Sequence, residues 1–264
     1  MRYAIISDIH SNLQALYSAY DIIAKRKIDE IICLGDVVGY NAYPLESLRF
    51  LRANPKLKFV VAGNHDELST RELGFSNVLS VTKVALEGIK YSASKLDKEA
   101  RQWLYSLPKF VKVENKDIPF TVTHGIGSNQ GYVLMESDAR EAMDVLQQHY
   151  KTNLGFFGHS HFPSVIKRDK FGFTVFDIYD KSGAFLRRYG NIFSISSAFD
   201  GSECFLINPG AVGQPRGKSK TSFAIFDTSQ KTVEFVFFDY DKTKAQDAII
   251  KSGLSEELAK KLNG

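Results

Sequence analysis

Short apolar runs alternate with amphipathic segments through the first third of the chain. "RYAIIS" is a short β-rich run, and "NLQALYSAYDIIAKRKI" then repeats apolar residues at helical spacing. "DEIICLGD" predicts a buried strand, "YPLESLRFLRAN" a second helix and "LKFVVAGN" a third strand. Strand and helix therefore alternate, and this order predicts a parallel sheet with right-handed crossovers.

The pattern changes twice further along the chain. Residues 66–117 read as mostly helical, and two strands, "IPFTVTH" and "LGFFGHS", then flank a helix near "SDAREAMDVLQQHY". From 162 to 238 the chain is β-rich and broken by Gly, Asp and Asn, which predicts an antiparallel sheet or meander. The β-rich segments there are "FTVFDIY", "AFLRRY", "NIFSIS", "CFLINPG", "SFAIFD" and "TVEFVFF". The tail after residue 240 predicts two short helices, whose lysines are interpreted as a solvated face in preference to a binding tail.

Composition narrows the class of protein. The chain has 264 residues and a formal net charge of +4, with basic residues spread along its length. This charge favours anionic substrates and argues against a nucleic-acid partner. The two cysteines, Cys33 and Cys204, lie in apolar runs and read as reduced core residues, which predicts a cytoplasmic protein. No window approaches the roughly 20 apolar residues of a membrane span, so no membrane partner is expected.

Polar side chains follow each apolar run at the point where the predicted strand ends. These residues are Asp8, His10, Asp36, Asn64, His65, Asp66, His124, His159 and His161. Of the six histidines, only His149 lies elsewhere. Ligands of open α/β sheets bind beyond the carboxyl ends of the strands, so these groups are expected to share one edge of the sheet.

This set of residue types points to metal ions. One buried Asp or His at a strand end is usually a turn former or a satisfied core group, but several carboxylates and imidazoles on one edge need a cation among them. Imidazole, carboxylate and amide oxygen, with no thiolate, suit hard or borderline divalent metals. In an extended segment residues two apart point the same way, so Asp8 with His10 and His159 with His161 would each present two ligands together.

The ordered motifs "DIH", "GDVVG", "GNHD", "THG" and "GHSH" resemble those of the calcineurin-like metallophosphoesterases. "INPGAVGQPRGKSKTSFAIFD" resembles a further block of the small bacterial phosphodiesterases of that family. The resemblance implies an α/β fold of two stacked mixed β-sheets flanked by helices, a four-layer sandwich, as one domain over 1–264. Within it, 66–118 would be either a helical cap over the site or ordinary packing, and 240–264 a helical C-terminal tail.

The resemblance also implies a dinuclear centre and its ligands. By motif, Asp8, His10 and His161 would hold a first metal, Asn64, His124 and His159 a second, and Asp36 would bridge both. The ions would be two divalent or trivalent transition metals, with manganese, iron, zinc, nickel and cobalt all compatible with the ligands. A hydroxide between them would attack phosphorus in line, and His65 would be the catalytic histidine that is not a ligand.

Substrate contacts are less constrained. Arg216 in its Gly/Pro loop is the candidate for gripping a phosphate, with a surface ion pair as the alternative, and Tyr40 and Asn41 are candidates to line the pocket. Phosphoprotein phosphatases carry an Asp-Arg pair where this chain has Gly39 and Tyr40, which argues against a phosphoprotein substrate. The departure leaves His65 without its usual carboxylate partner. Asp66 would either fill that role or cap the following helix.

The sequence thus predicts a cytoplasmic metallophosphoesterase that hydrolyses small phosphodiesters, with nucleotides among the candidates and some phosphomonoester activity. The alternative is a non-catalytic protein-interaction scaffold on the same fold, such as the retromer-type subunit. The intact histidine set argues against the scaffold. The physiological substrate and the oligomeric state are left open.

Overall fold

Two six-stranded mixed β-sheets lie face to face, and helices cover their outer faces. The structure is a computed structural model that describes residues 1–71, 81–125, 136–177, 190–217 and 219–263, without the side chains of 136–138 and 173–177. In spatial order the first sheet contains β3 (Leu57–Val60), β2 (Glu30–Cys33), β1 (Arg2–Ile6), β11 (Ser222–Asp227), β12 (Thr232–Phe237) and β9 (Ile192–Ser194). The second contains β4 (Phe110–Val113), β5 (Phe120–Thr123), β6 (Leu154–Phe156), β10 (Cys204–Asn208), β7 (Ser164–Asp169) and β8 (Gly172–Asp177).

The described helices connect the strands and follow them at the C-terminus. They are α1 (Leu13–Ala24), α2 (Pro44–Ala53), α3 (Asn64–Ser69), α4 (Lys83–Lys95), α5 (Lys98–Ser106), α6 (Glu136–Asp144), α7 (Ser196–Phe199), α8 (Lys242–Lys251) and α9 (Glu256–Lys260). A π-helical turn, Val145–Tyr150, extends α6, and a 3₁₀ turn, Lys261–Asn263, follows α9. The predicted four-layer α/β sandwich is confirmed.

The side chains of β1 point alternately to the two faces of the first sheet, and all of those named below are buried. Ala4 and Ile6 are fully buried in the outer core, against the helices. Tyr3 and Ile5 point the other way, into the core between the two sheets. Because successive side chains in a strand point to opposite faces, one short apolar run fills two cores. The parallel pairing of β1 with β2 and of β2 with β3 matches the predicted crossovers.

The β-rich region after residue 162 does not form one antiparallel sheet, and that prediction is wrong. Strand β10 pairs in parallel with β6, and β7 and β8 follow it into the second sheet. Strand β11 instead pairs antiparallel with β1, and β12 and β9 extend the first sheet. All five residues of β10 are buried, so its pattern carries no preference for one sheet. The segment "AFLRRY" lies outside the described residues.

The middle segment and the tail both pack on the body of the fold. Within 66–118 the structure contains α4, α5 and the short strand β4, and Leu96, Ala100 and Leu104 are buried in the outer core. In the tail, Ile249 and Leu262 are buried in a cluster with Ala85 of α4. None of the helices in the described parts of the chain is long and apolar enough to cross a membrane.

Candidate metal centre

The predicted ligands lie on loops at the carboxyl ends of five strands. Asp8 and His10 follow β1, Asp36 follows β2, Asn64 begins α3 after β3, His124 follows β5, and His159 and His161 follow β6. Backbone hydrogen bonds tie these loops to each other. The Asp8 amide donates to the Gly35 carbonyl (3.1 Å), and the His10 amide donates to the Asp36 carbonyl (2.9 Å). One edge of the sandwich therefore collects residues that are far apart in the chain.

The loops are not extended where the paired ligands stand. Asp8, His10, His159 and His161 have φ of 53°, 48°, 66° and 64°, in the left-handed region. We expected the paired ligands to point the same way because the backbone there would be extended. The backbone is not extended at these residues, so that reason is wrong. Non-glycine residues with positive φ are uncommon and cost free energy, and they persist where the surroundings fix them. The left-handed turns aim the ligands individually.

Two groups of side chains converge at this edge. Each residue offers one ligand atom, and the atoms of a group lie within 4.8 Å of one another. The first group is Asp8, His10, Asp36 and His161. The second group is Asp36, His124 and His159. The Oδ1 atom of Asn64 lies 3.2 Å from Nε2 of His124, which places the amide beside the second group.

Backbone carbonyls fix the orientation of three imidazoles. The Nδ1 atoms of His10, His124 and His161 lie 3.2, 2.7 and 2.5 Å from the carbonyls of Val38, Leu34 and Gln214. A carbonyl only accepts hydrogen bonds, so each Nδ1 carries a proton and each Nε2 faces inward, where a metal ion can bind it in place of a second proton. The sequence analysis did not identify these three partners, since any residue supplies a backbone carbonyl.

The inward-facing Nε2 atoms provide the test of whether a metal fits. Nε2 of His10 lies 3.1 Å from Nε2 of His161, and Oδ1 of Asp8 lies 3.2 Å from the same His161 atom. Asp8 Oδ1 is buried and has no hydrogen-bond partner. Two imidazole lone pairs and a carboxylate oxygen facing one another repel unless a cation lies among them, so these donors fit a divalent metal.

The two carboxylate oxygens of Asp36 have different contacts: one accepts a backbone hydrogen bond, and the other faces the candidate metal ligands. Its Oδ1 accepts a hydrogen bond from the His65 backbone amide (2.8 Å). Its Oδ2 lies 3.6 Å from Nε2 of His10 and 3.3 Å from Nε2 of His124, one imidazole from each group. Asp8 shows the same division, because its Oδ2 accepts from the Ser7 hydroxyl (2.6 Å) while its Oδ1 faces the site. Each carboxylate is therefore held by one oxygen and presents the other.

Burial and neighbouring charge set the protonation states. Burial raises the pKa of Asp36, but His124 and His65 overcome this and hold it well below its usual range. Burial lowers the pKa of His124, whereas Asp36 raises it, and the balance lies at about 10. Burial also lowers the pKa of His65 and of His159 to about 4. The electrostatics favour ionised carboxylates, as metal binding requires.

His65 lies at the centre, and no carboxylate among the described residues is hydrogen-bonded to its Nδ1. Its ring packs against His10 and Tyr40, with centroids 4.7 Å away in both cases, and its buried Nδ1 has no hydrogen-bond partner. The carboxylate of Asp66 accepts hydrogen bonds from the backbone amides of Val38 and Gly63, both at 3.1 Å. Of its two predicted roles, partner of His65 or helix cap, Asp66 therefore has the role of helix cap. Burial, and then Asp36, raise the pKa of Asp66 to about 7.

Gly39 makes room for His65. A Cβ added there would lie 2.3 Å from His65 Nδ1, and its φ of +109° is itself unfavourable for other residues. We expect Gly39→Ala to push His65 out of place and, since His65 is the predicted catalytic histidine, to lower turnover at least about tenfold. Steady-state kinetics with metal analysis checks this. Gly172→Ala is the matched control, since φ there is +133° and nothing lies within 4 Å. Equal activity of the two variants would contradict the role given to Gly39.

A cavity of about 640 Å³ opens onto the centre. Asp36, Asn64, His65 and His159 line its floor, and Tyr40 and Arg216, two of the predicted substrate contacts, line its walls. Asn41 lies beneath the site instead: it is 3% exposed, and its amide donates to the His10 carbonyl (2.8 Å). The structure thus places Asn41 as a support of the His10 loop.

A second cavity, of about 740 Å³, opens beside Asn64 and His124. Phe110 and Tyr150 line it, and their ring centroids are 4.5 Å apart. Two cavities therefore reach the candidate centre, and both are lined by Asn64.

Comparison with known proteins gives consistent matches. A model of the calcineurin-like phosphoesterase superfamily domain matches residues 1–231. The chain is 33% identical over 262 residues to the uncharacterized protein MJ0912 of Methanocaldococcus jannaschii, covering 98% of this chain and 96% of that one. It is 29% identical to a metallophosphoesterase from Sphaerobacter thermophilus, with a TM-score of 0.74 over 99% of this chain and 98% of that one. A hypothetical protein, PH1004 of Pyrococcus horikoshii, shares the fold at 20% identity, with a TM-score of 0.76 over 100% and 98% of the two chains.

Proposed function

Because the chain belongs to the calcineurin-like phosphoesterase superfamily, we propose that it is a dinuclear metal-dependent phosphoesterase that hydrolyses small phosphodiesters, nucleotides among them, and phosphomonoesters more slowly. One observation carries the proposal of two ions. Asp36 belongs to both groups of converging ligand atoms, and its Oδ2 lies between an imidazole of each. A carboxylate shared in this way suits a bridge between two metals.

The proposed ligands follow the two groups. Asp8, His10 and His161 would hold one ion, Asn64, His124 and His159 the other, and Asp36 both. When bound, two such ions supply Lewis-acid stabilisation of phosphoryl oxygens and make water acidic enough to act as a nucleophile near neutral pH. Manganese, iron, zinc, nickel and cobalt all suit imidazole, carboxylate and amide donors.

The side chains that are not ligands bind and orient the substrate. Arg216 lines the cavity, and a guanidinium there can grip a phosphate through two parallel hydrogen bonds. His65 lies between the centre and the same cavity, in position to donate a hydrogen bond to a phosphoryl or leaving-group oxygen as negative charge develops. The packing of His65 against His10 and Tyr40 holds the ring for this role.

The two openings support a diester over a monoester substrate. A phosphodiester carries two substituents on phosphorus, and the cavities of about 640 and 740 Å³ both reach the centre, with Asn64 common to both. A monoester would fill one of them. The aromatic pair in the larger cavity offers a surface on which a planar group can stack.

Hydrolysis of bis-p-nitrophenyl phosphate with and without metal tests the proposal. We expect turnover with added Mn²⁺, loss of turnover in excess EDTA, and recovery when Mn²⁺ is returned. We also expect kcat/KM to be higher for this diester than for p-nitrophenyl phosphate. Absence of hydrolysis under every metal condition, for either compound, would contradict an enzymatic function and favour a scaffold.

A further inference from the structure

The C-terminal tail is anchored to the body of the protein. Both the amide and the hydroxyl of Ser255, at the start of α9, donate to the Glu87 carboxylate of α4, at 2.7 and 2.8 Å. Leu258 of α9 and Leu262 of the following turn are 2% and 1% exposed. A short helix anchored at one end by hydrogen bonds and buried along one face has a fixed orientation, so the direction of its remaining side chains is set as well.

The exposed side of this tail forms one wall of the cavity over the proposed metal centre. Lys260 and Lys261 line it, and Asp36 and His65 of the candidate centre line the same cavity. Arg216 and Glu257 are the other charged residues of the walls among the described residues. Three cationic side chains and one carboxylate leave these walls with a net charge of +2.

The side chain of Lys260 is available to a ligand. Lys260 is 74% exposed and pairs with Glu256 (3.1 Å), which is itself 76% exposed. Exposed pairs of this kind are worth little, so an incoming anion can replace the glutamate at small cost. The net positive charge of these walls also attracts anionic ligands to the cavity.

We propose that the tail determines specificity: Lys260 and Lys261 recognise a second anionic group, a phosphate or carboxylate, at the far end of a phosphoester held at the metal centre. This inference rests on the proposed function and specifies its substrate class. One phosphate lies over the floor of the cavity near His65, and the second reaches the lysine wall. The lysines bind this group and take no part in the chemical step.

A matched pair of substrates tests the proposal. Thymidine 5′-(p-nitrophenyl phosphate) and the same compound with an added 3′-phosphate differ only in the second anionic group. The variant is K260Q/K261Q. The control is K244Q/K251Q, which removes the same charge from exposed positions of α8 that are not among the described lining residues of the cavity. Thermal unfolding of both variants verifies that the tail remains folded.

For the wild type we expect a higher kcat/KM with the 3′-phosphate. In K260Q/K261Q this advantage is expected to fall about tenfold, through KM, since two exposed ion pairs are removed. Activity on the compound without the 3′-phosphate should change less than about twofold. The effect should shrink at high salt, because salt screens exposed charges. An equal loss on both substrates, no loss, or the same loss in K244Q/K251Q would overturn the proposal.

Calorimetric binding separates this inference from the proposed function. Manganese-loaded protein is titrated with thymidine 3′,5′-bisphosphate and with thymidine 5′-monophosphate. We expect tighter binding of the bisphosphate, and loss of that preference in K260Q/K261Q. If the preference depends on the lysines while no ester is hydrolysed, the phosphoesterase proposal fails and the anion-binding wall stands. If the wild type binds both nucleotides equally, the wall has no such role.

Discussion

Asp36→Asn is expected to remove at least one of the two proposed ions and to lower kcat/KM by about 10³-fold or more, since charge stabilisation at the reacting phosphate depends on both. The substitution keeps the shape of the side chain, and an amide oxygen can still accept the hydrogen bond that Oδ1 receives from the His65 amide. What it removes is the negative charge of Oδ2 between His10 and His124. Metal analysis after dialysis, together with hydrolysis of bis-p-nitrophenyl phosphate, measures both effects.

Asp66→Asn is the control for loss of a buried carboxylate near the same loops. Asp66 is fully buried and holds the amides of Val38 and Gly63. Its replacement is expected to lower stability, because a cap is weakened, while both ions stay bound. Retention of two ions and of activity by Asp36→Asn would contradict the assignment of Asp36 as the shared ligand.

His65→Asn is expected to lower kcat by about 10²- to 10⁴-fold without loss of metal. The side chain contributes no ligand atom to either group, and its Nδ1 makes no hydrogen bond that the substitution would break. Its backbone amide, which supports Asp36, is unchanged by the substitution. Activity and metal content should therefore separate in this variant, whereas they fall together in Asp36→Asn. Steady-state kinetics and metal analysis of the same preparation measure both quantities.

His149→Asn is the matched control, because His149 is exposed on the turn Val145–Tyr150 and belongs neither to the two ligand groups nor to the described lining of either cavity. Its activity is expected to equal that of the wild type. Full activity of His65→Asn would exclude His65 from the reaction. Loss of metal from His65→Asn would instead identify it as part of the metal-binding structure.

The convergence of the candidate ligands was predictable from sequence because it depends on a simple rule of topology. Parallel strands end at one edge, so polar residues that follow β1, β2 and β3 must meet there whatever lies between them. The types of side chain then indicate a metal site, since several carboxylates and imidazoles that meet at one edge suit a divalent cation. The local backbone was not predictable in the same way: the left-handed conformations of Asp8 and His10 depend on hydrogen bonds to Gly35 and Asp36 from a different part of the chain.

The division of the later strands between two sheets could not be read from their patterns. Strand β10 is buried on both faces and β11 almost entirely so, and a strand without a polar face fits either sheet. The position of the C-terminal tail against the cavity could not be predicted from the sequence either. Its helical pattern predicts α8 and α9, but the contact of Ser255 with Glu87 joins residues 168 positions apart, and this contact turns Lys260 and Lys261 towards the cavity.

The most direct test of the account is an anomalous difference map from crystals of the protein soaked in Mn²⁺. Two peaks are predicted, one beside Asp8, His10 and His161 and one beside Asn64, His124 and His159, with the Asp36 carboxylate between them. A map with no peak among these side chains, or with a single peak that Asp36 does not share, would contradict it.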